Sequence, residues 1–244
     1  MATYETFAKI YDEVMDEELY LDWLAFTERH LPFKKADVLE LACGTGILSV
    51  ELANANYNVV GLDLSKEMVE LASERTTPED DSLSFVTGDM LDLRYQEQFD
   101  AVTCYSDSIC YMKDASDVEQ VFKGVFQSLK EKGVFIFDVH SIFQVEEGFK
   151  EYSYHYQSDD FAFLWESYPG DEAYSIEHFL TFFVKEGEEV FKRYDELHEE
   201  RTYPIETYVS LLESTGFSQV KVYADFEDEQ PTEESKRWFF VCEK

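Results

Sequence analysis

The strand-like run Val38-Leu39-Glu40-Leu41 opens into Ala42-Cys43-Gly44-Thr45-Gly46 and then into the helical text that begins Ile47-Leu48. Glycines in such a turn let a ligand approach the backbone, and the free N–H groups at the helix start favour an anionic group. A dinucleotide fingerprint would read G-x-G-x-x-G, but Ser49 occupies the third glycine position, so a small carboxylate suits the turn better than a pyrophosphate. Seventeen residues beyond Gly46, Asp63 closes the next apolar run, Val59-Val60-Gly61-Leu62. The carboxyl ends of neighbouring parallel strands face one crevice, where Asp63 can accept both hydroxyls of a ribose. Asp89 closes a third run, Phe85-Val86-Thr87-Gly88, and can accept from an exocyclic amine, with Leu64 and Met90 as apolar faces for a purine.

Those groups meet only if the text around them folds as parallel strands joined by helices. From Asp37 onward, short apolar runs (ADVLELA, NVVGLDL, LSFVTGD, FDAVTCYS) alternate with helical patterns such as ILSVELANA and KEMVELASER. Ser116 to Lys130 carries Val118, Val121, Phe122, Val125, Phe126 and Leu129 on one face, and Ser116-Asp117-Val118-Glu119 reads as its capping box. Gly133 then ends a turn, and GVFIFDVH reads as a strand covered on both faces. Five strand-helix units are expected between about Asp37 and His140. Before Pro32, Phe7, Ile10, Tyr11 and Val14, then Leu21, Leu24 and Phe26, predict two short helices. After Phe143, FAFLWESY, YSIEHFLTFFV and EVFKRYDELHEE alternate with turn signals and predict an antiparallel meander. Pro204 and Gly216 bracket a helix, and VKVYADF and RWFFVCE read as closing strands.

Of 244 residues, 20 are Lys or Arg and 53 are Asp or Glu, giving a net charge of −33, while 45% are hydrophobic and 16% aromatic. Such a chain has ample core, unlike a disordered acidic polymer. Its charge repels polyphosphate and argues against a nucleic-acid partner. With no apolar run of membrane-spanning length and an acidic N-terminus, the sequence predicts a cytoplasmic protein without a membrane partner. Cys43, Cys104, Cys110 and Cys242 include no C-x-x-C pair and read as buried thiols.

Together, Glu40-x-Ala42-x-Gly44-x-Gly46, Asp63, Gly88-Asp89-Met90 and Phe99-Asp100-Ala101-Val102 resemble the class I S-adenosylmethionine-dependent methyltransferases, from about Phe7 to Val139. The resemblance implies an α/β fold with a doubly wound, mostly parallel seven-stranded sheet in the order 3-2-1-4-5-7-6 and an antiparallel β insertion. It divides residues 1–244, a single domain, into a helical lid (1–32), a cofactor-binding core (33–142), an insertion over the substrate side (143–203) and a closing segment (204–244). S-adenosyl-L-methionine is the cofactor implied. Ala42, Gly44 and Gly46 would line its methionine part, with Ala42 in place of the family's first glycine. Glu40 would fix that loop, Asp63 hold the ribose, Leu64 flank the adenine, Asp89 and Met90 read it, Met68 contact the cofactor, and the Tyr105 carbonyl meet the ammonium.

The N-terminal text Phe7-Ala8-Lys9-Ile10-Tyr11-Asp12 is similar to the lid of small-molecule and sugar-amine methyltransferases, which implies cofactor contacts for Tyr11 and Tyr20. Methyl transfer is an in-line displacement, so the protein chiefly aligns the reactants and excludes water. Where a proton acceptor is used, His140 at the end of its strand is the candidate, with Tyr11 second. Asp107 and Ser108 lie on the loop after the fourth strand, where the resemblance implies substrate contacts, and Tyr152, Tyr154, Tyr156, Phe161, Phe163 and Trp165 can wall a cavity. His155, His178 and His198 show no companion ligands at metal-binding spacing, so no metal is expected. The expected reaction is methylation of N or O on a small-molecule acceptor by a monomer or specific homodimer. A non-catalytic cofactor-binding module that engages a protein partner, and a protein or RNA methyltransferase, are the alternatives.

Overall fold

The computed structural model describes residues 12, 14, 15, 17–31, 33–77, 81–187 and 190–244. Within them, β1 (Asp37–Leu41), β2 (Asn58–Asp63), β3 (Leu83–Thr87), β4 (Phe99–Cys104) and β5 (Leu129–His140) are parallel. With β10 (Gln219–Ala224) and β11 (Arg237–Glu243) they form one sheet in the order β3-β2-β1-β4-β5-β11-β10, and β11 runs antiparallel to both of its neighbours. Counted within this sheet, that is the expected 3-2-1-4-5-7-6.

The apolar runs divide by parity, as a sheet buried on both faces requires. Leu39, Leu41, Val102, Cys104, Phe135 and Phe137 pack with Val121, Phe122 and Val125 of α4 (Ala115–Ser128) and Tyr208 and Leu212 of α5 (Ile205–Thr215). Val38, Val59, Ala101, Val134 and Ile136 pack on the other face with Trp23 and Phe26 of α1 (Glu17–His30) and Leu48 and Leu52 of α2 (Ile47–Asn54). The Phe137 and Phe240 rings stack at 4.7 Å across β5 and β11. All four cysteines are buried free thiols.

Several local expectations are corrected. The cap of α4 is Asp114, whose carboxylate accepts from Ser116 and Asp117 N–H at 2.8 and 3.1 Å, so Ser116 is already inside the helix. Leu129 and Lys130 belong to β5, which pairs Leu129 with Phe99 and then, past an irregularity that includes Lys132 at φ 65°, Val134 with Ala101. Between β3 and β4 only a short turn of tight helix, Met90–Asp92, replaces the expected crossover helix, so the five units carry three crossover helices: α2, α3 (Lys66–Glu74) and α4. Of the expected first N-terminal helix, Phe7, Ile10 and Tyr11 lie outside the described residues, as does Pro32.

The meander is a second sheet of four strands in sequence order, β6 (Ser153–Gln157), β7 (Phe161–Pro169), β8 (Ser175–Lys185) and β9 (Phe191–Arg201). Cross-strand register places Phe163 opposite Phe182, Trp165 opposite Leu180 and Ser167 opposite His178, all on its inner face. That face packs Phe161, Phe163, Leu180 and Phe182 onto Met68 of α3. The second sheet therefore covers one end of the crevice at the carboxyl ends of β1 to β5. Among the described residues no helix is long and apolar enough to cross a membrane.

Candidate active site

The turn after β1 places three residues in the left-handed region, Ala42 at φ 52°, Gly44 at 55° and Gly46 at 79°. Backbone bonds from Cys43 N to Leu62 O (3.1 Å) and from Gly46 N to Cys43 O (2.9 Å) fix it to the end of β2. A Cβ at Gly44 would meet nothing within 4 Å, so this glycine opens on free space. Gly46 serves a different end: a Cβ there would sit 2.6 Å from the Phe85 ring and 2.9 Å from Ala72, so its bareness lets the turn pack on β3 and α3. Ala42 pays a left-handed cost of about 1–2 kcal/mol, against about 0.4–1 kcal/mol of unfolded-chain entropy that a glycine would add. Ala42→Gly should therefore stabilise the fold by roughly 0.5 kcal/mol. A urea midpoint that fails to rise would show that methyl packing outweighs the strain.

Asp63 closes β2 with each oxygen already oriented. Its Oδ2 accepts from Gly44 N–H at 2.8 Å and its Oδ1 from Ser65 N–H at 2.8 Å, which leaves further lone pairs on both oxygens. Burial raises its pKa despite those N–H donors. Glu40, buried beneath the turn and bonded by the Ser49 hydroxyl, is pushed up to about 8 by burial and, further, by the Asp63 charge. Among the described residues neither carboxylate has an ion-pair partner. Glu40 therefore keeps its proton near neutrality, and the negative potential that a bound cation would relieve rests on Asp63. Beside Asp63, Leu64 is 72% exposed, while Asp89 is exposed with Oδ1 bound by Leu91 N–H at 2.8 Å, and Met90 is half-buried against the core. Met68 is covered by the second sheet, and Tyr20 is buried edge-on to Trp23 at 5.7 Å.

At the far end of the crevice, the loop after β4 meets the end of β5 in a buried charge cluster. Asp138 accepts from Trp23 Nε1 at 2.8 Å, Asp107 N–H at 2.9 Å and Arg237 Nη1 at 2.8 Å, and Arg237 Nη1 lies 2.6 Å from Asp107 Oδ1. His140 Nε2 sits 3.4 Å from both Asp107 Oδ2 and Glu200 Oε2. Burial disfavours its imidazolium, but Asp107 and Glu200 prevail over burial and Arg237, and its pKa rises. Asp107 moves the other way: burial opposes its charge, and His140 and Arg237 overcome that and hold it below the usual carboxylate range. The Tyr105 hydroxyl pairs with Thr27 at 2.6 Å, and its carbonyl accepts from the Ser108 hydroxyl at 2.7 Å and, more weakly, from Ser108 N–H at 3.4 Å.

His178 does have companions, contrary to the sequence expectation: its ring, His140 and Glu200 place potential ligand atoms within 4.8 Å of one another. They come from β8, β5 and β9, too far apart in sequence for spacing to show. The tautomer nevertheless disfavours a metal. The Trp165 indole N–H donates to His178 Nδ1 at 3.1 Å, so in the neutral ring Nε2 carries the proton, and it faces Glu200 Oε1 at 3.7 Å. Burial, with the nearby His140, lowers the His178 pKa to about 4, which keeps the ring neutral.

The matching family model, described as a methyltransferase domain, covers residues 38–133. A Bacillus subtilis (strain 168) protein named as a methyltransferase, YqeM, is 40% identical over 99% of this chain and 97% of its own length. The crystal structure of an S-adenosylmethionine-dependent methyltransferase from Clostridium acetobutylicum ATCC 824 matches with a TM-score of 0.82 at 30% identity, covering 98% of each chain. The chain belongs to the class I S-adenosylmethionine-dependent methyltransferases. A further relative of this methyltransferase, the glycine/sarcosine N-methyltransferase of Aphanothece halophytica, is 28% identical over 85% of this chain and 76% of its own length.

S-adenosylmethionine is thus the cofactor of this methyltransferase, and the crevice fits it. Gly44 opens on space, and Asp63 has oriented lone pairs beside an exposed apolar side chain. Sequence reasoning missed two groups at the turn. Asp12 accepts from the Thr45 hydroxyl at 2.5 Å and pairs with Arg75, which also donates to the Thr45 carbonyl at 2.8 Å. It also missed Glu200, which looks in sequence like one more charge in the run Glu199-Glu200-Arg201.

Proposed function

We propose that this methyltransferase binds its cofactor across the carboxyl ends of β1, β2 and β3 and methylates nitrogen or oxygen of a small molecule. The observation that carries the reading is Asp63, fixed by Gly44 N–H and Ser65 N–H with lone pairs left for two ribose hydroxyls. Ala42 and Gly44 would line the methionine part and Glu40 would hold the loop beneath it, while Gly46 shapes the turn. Leu64, Met68 and Met90 would enclose the adenine, with Asp89 accepting from its amine. The Tyr105 carbonyl would take the ammonium in place of its long bond from Ser108 N–H, with Tyr20 and Tyr11 on the lid side. When bound, the cofactor supplies an electrophilic methyl carbon on a sulfonium that leaves as a neutral thioether. The chain's own part is to align the acceptor and keep water out.

A nitrogen acceptor is supported by the Aphanothece halophytica relative, which by name methylates glycine and sarcosine at nitrogen. The excess of acidic groups also favours a cationic acceptor. Titration calorimetry with S-adenosylmethionine, S-adenosylhomocysteine and NAD tests the crevice assignment. The first two should bind and NAD should not, because Ser49 stands where a dinucleotide site has its third glycine. Binding of NAD in their place would overturn it.

A further inference from the structure

The inference rests on methyl transfer to a small amine, and it concerns the proton that such an amine must lose first. On the inner face of edge strand β9, Glu196, His198 and Glu200 stand opposite Leu180, His178 and Ile176 of β8. Glu200 is 5% exposed, its Oε2 makes no hydrogen bond, and it also forms part of the wall of a cavity of about 710 Å³. That cavity lies between the Cys110–Lys113 segment and the ends of β8 and β9, with Tyr111, Ile176, Glu196 and His198 also in its wall. His140 does not reach it.

A hydrogen-bond chain runs from Glu200 along this wall. The Tyr111 hydroxyl bonds Glu200 and lies 2.8 Å from His198 Nδ1, and His198 Nε2 lies 3.1 Å from Glu196 Oε2. Two proton arrangements satisfy every bond. In one, protonated Glu200 donates to Tyr111, Tyr111 donates to neutral His198, and Nε2–H donates to Glu196. In the other, Tyr111 donates to ionised Glu200, and imidazolium His198 donates to both Tyr111 and Glu196. They differ by one proton moved from Glu200 to His198, which is what a relay requires.

We propose that Glu200 is the proton acceptor for a small ammonium-bearing substrate that enters this cavity, and that Tyr111 and His198 pass the proton outward. An acceptor N–H breaks and leaves its electron pair on nitrogen as the nucleophile, while a Glu200 Oε–H bond forms. That bond then breaks as Tyr111 takes the proton and yields its own to His198 Nδ1, from which solvent removes it. His140, whose pKa Asp107 and Glu200 raise against burial and Arg237, is a positioning residue, as is His178. Burial and the Asp107 charge push Glu200 up to about 7 against His140, Tyr111 and His198, so it gains and loses its proton near neutrality.

Two measurements on the S-adenosylhomocysteine complex test this. In an NMR pH titration, Glu200 Cδ should respond with a midpoint near 7, and Tyr111→Phe, which removes a hydroxyl that favours the Glu200 charge, should raise that midpoint. In calorimetry, benzylamine should bind and benzyl alcohol should not. Glu200→Gln should weaken benzylamine at least tenfold, Glu200→Asp should recover part of the loss, and S-adenosylhomocysteine affinity should stay unchanged. A Glu200 midpoint that Tyr111→Phe leaves unmoved, equal affinity for amine and alcohol, no benzylamine binding, or a Glu200→Gln variant that binds benzylamine like the parent would each overturn the proposal. Failure of S-adenosylhomocysteine itself to bind would instead count against the crevice assignment.

Discussion

Asp63→Ala should lower affinity for S-adenosylmethionine at least a hundredfold in titration calorimetry. A hydrogen bond to a charged acceptor contributes about 1.5–3 kcal/mol, so losing two ribose hydroxyls costs about 3–6 kcal/mol, of which 2.7 already gives a hundredfold. The variant also frees Gly44 N–H and Ser65 N–H, which Asp63 ties at 2.8 Å, so the turn loses its brace as well as its ligand contact. Asp63→Asn separates the effects. It keeps one acceptor oxygen but turns the other into a donor, and should fall between alanine and the parent. The pH dependence has a definite sign. Burial raises the Asp63 pKa, so cofactor affinity should decline as pH falls through that raised value, where a protonated carboxyl no longer accepts from both hydroxyls. Unchanged affinity in the alanine variant would remove Asp63 from the cofactor site.

The crevice was readable because its parts are local. Asp63 follows an apolar run whose residues alternate between two buried faces, and the Gly44 turn lies at the end of another, so strand ends could be located from text alone. What alternation cannot register is a group set by the pairing of distant strands. Glu200 and His178 reach His140 only because β9 pairs with β8 in a register that places both inside, while Glu199, exposed on the other face, is the same residue type in the sequence. The α4 boundary was misjudged for a smaller reason: Asp114 and Ser116 are both good caps, and the choice depended on where β4's following loop released the chain. Ala42 illustrates the opposite case. The substitution of alanine for glycine was visible, but its left-handed φ of 52° was a matter of geometry alone.

Arg237→Met should destabilise the fold by about 3–5 kcal/mol, the usual cost of stripping one partner from a buried ion network. Arg237 is the cation between Asp107 Oδ1 at 2.6 Å and Asp138 Oδ2 at 2.8 Å, and Asp138 is fully buried. Methionine keeps most of the aliphatic stem but removes the guanidinium, whose Cζ lies 5.8 Å from the Trp23 ring centroid, so the loss is chiefly one of charge. Two carboxylates would then face each other inside the protein with only His140, the Trp23 indole and one backbone N–H to offset them. Urea unfolding at pH 7 should show the midpoint fall. Acid should narrow the gap between variant and parent. In the parent, Asp107 has a depressed pKa, so its stabilising charge persists above the ordinary carboxylate value and is lost as pH falls through the lower folded one. In the variant the same carboxyl protonates earlier and sheds the repulsion. Adding Asp138→Asn to Arg237→Met should recover part of the loss, because it removes one of the two opposed charges while retaining an acceptor for Trp23. A double variant no more stable than Arg237→Met alone would show that the guanidinium acts by packing and hydrogen-bond geometry instead of by charge.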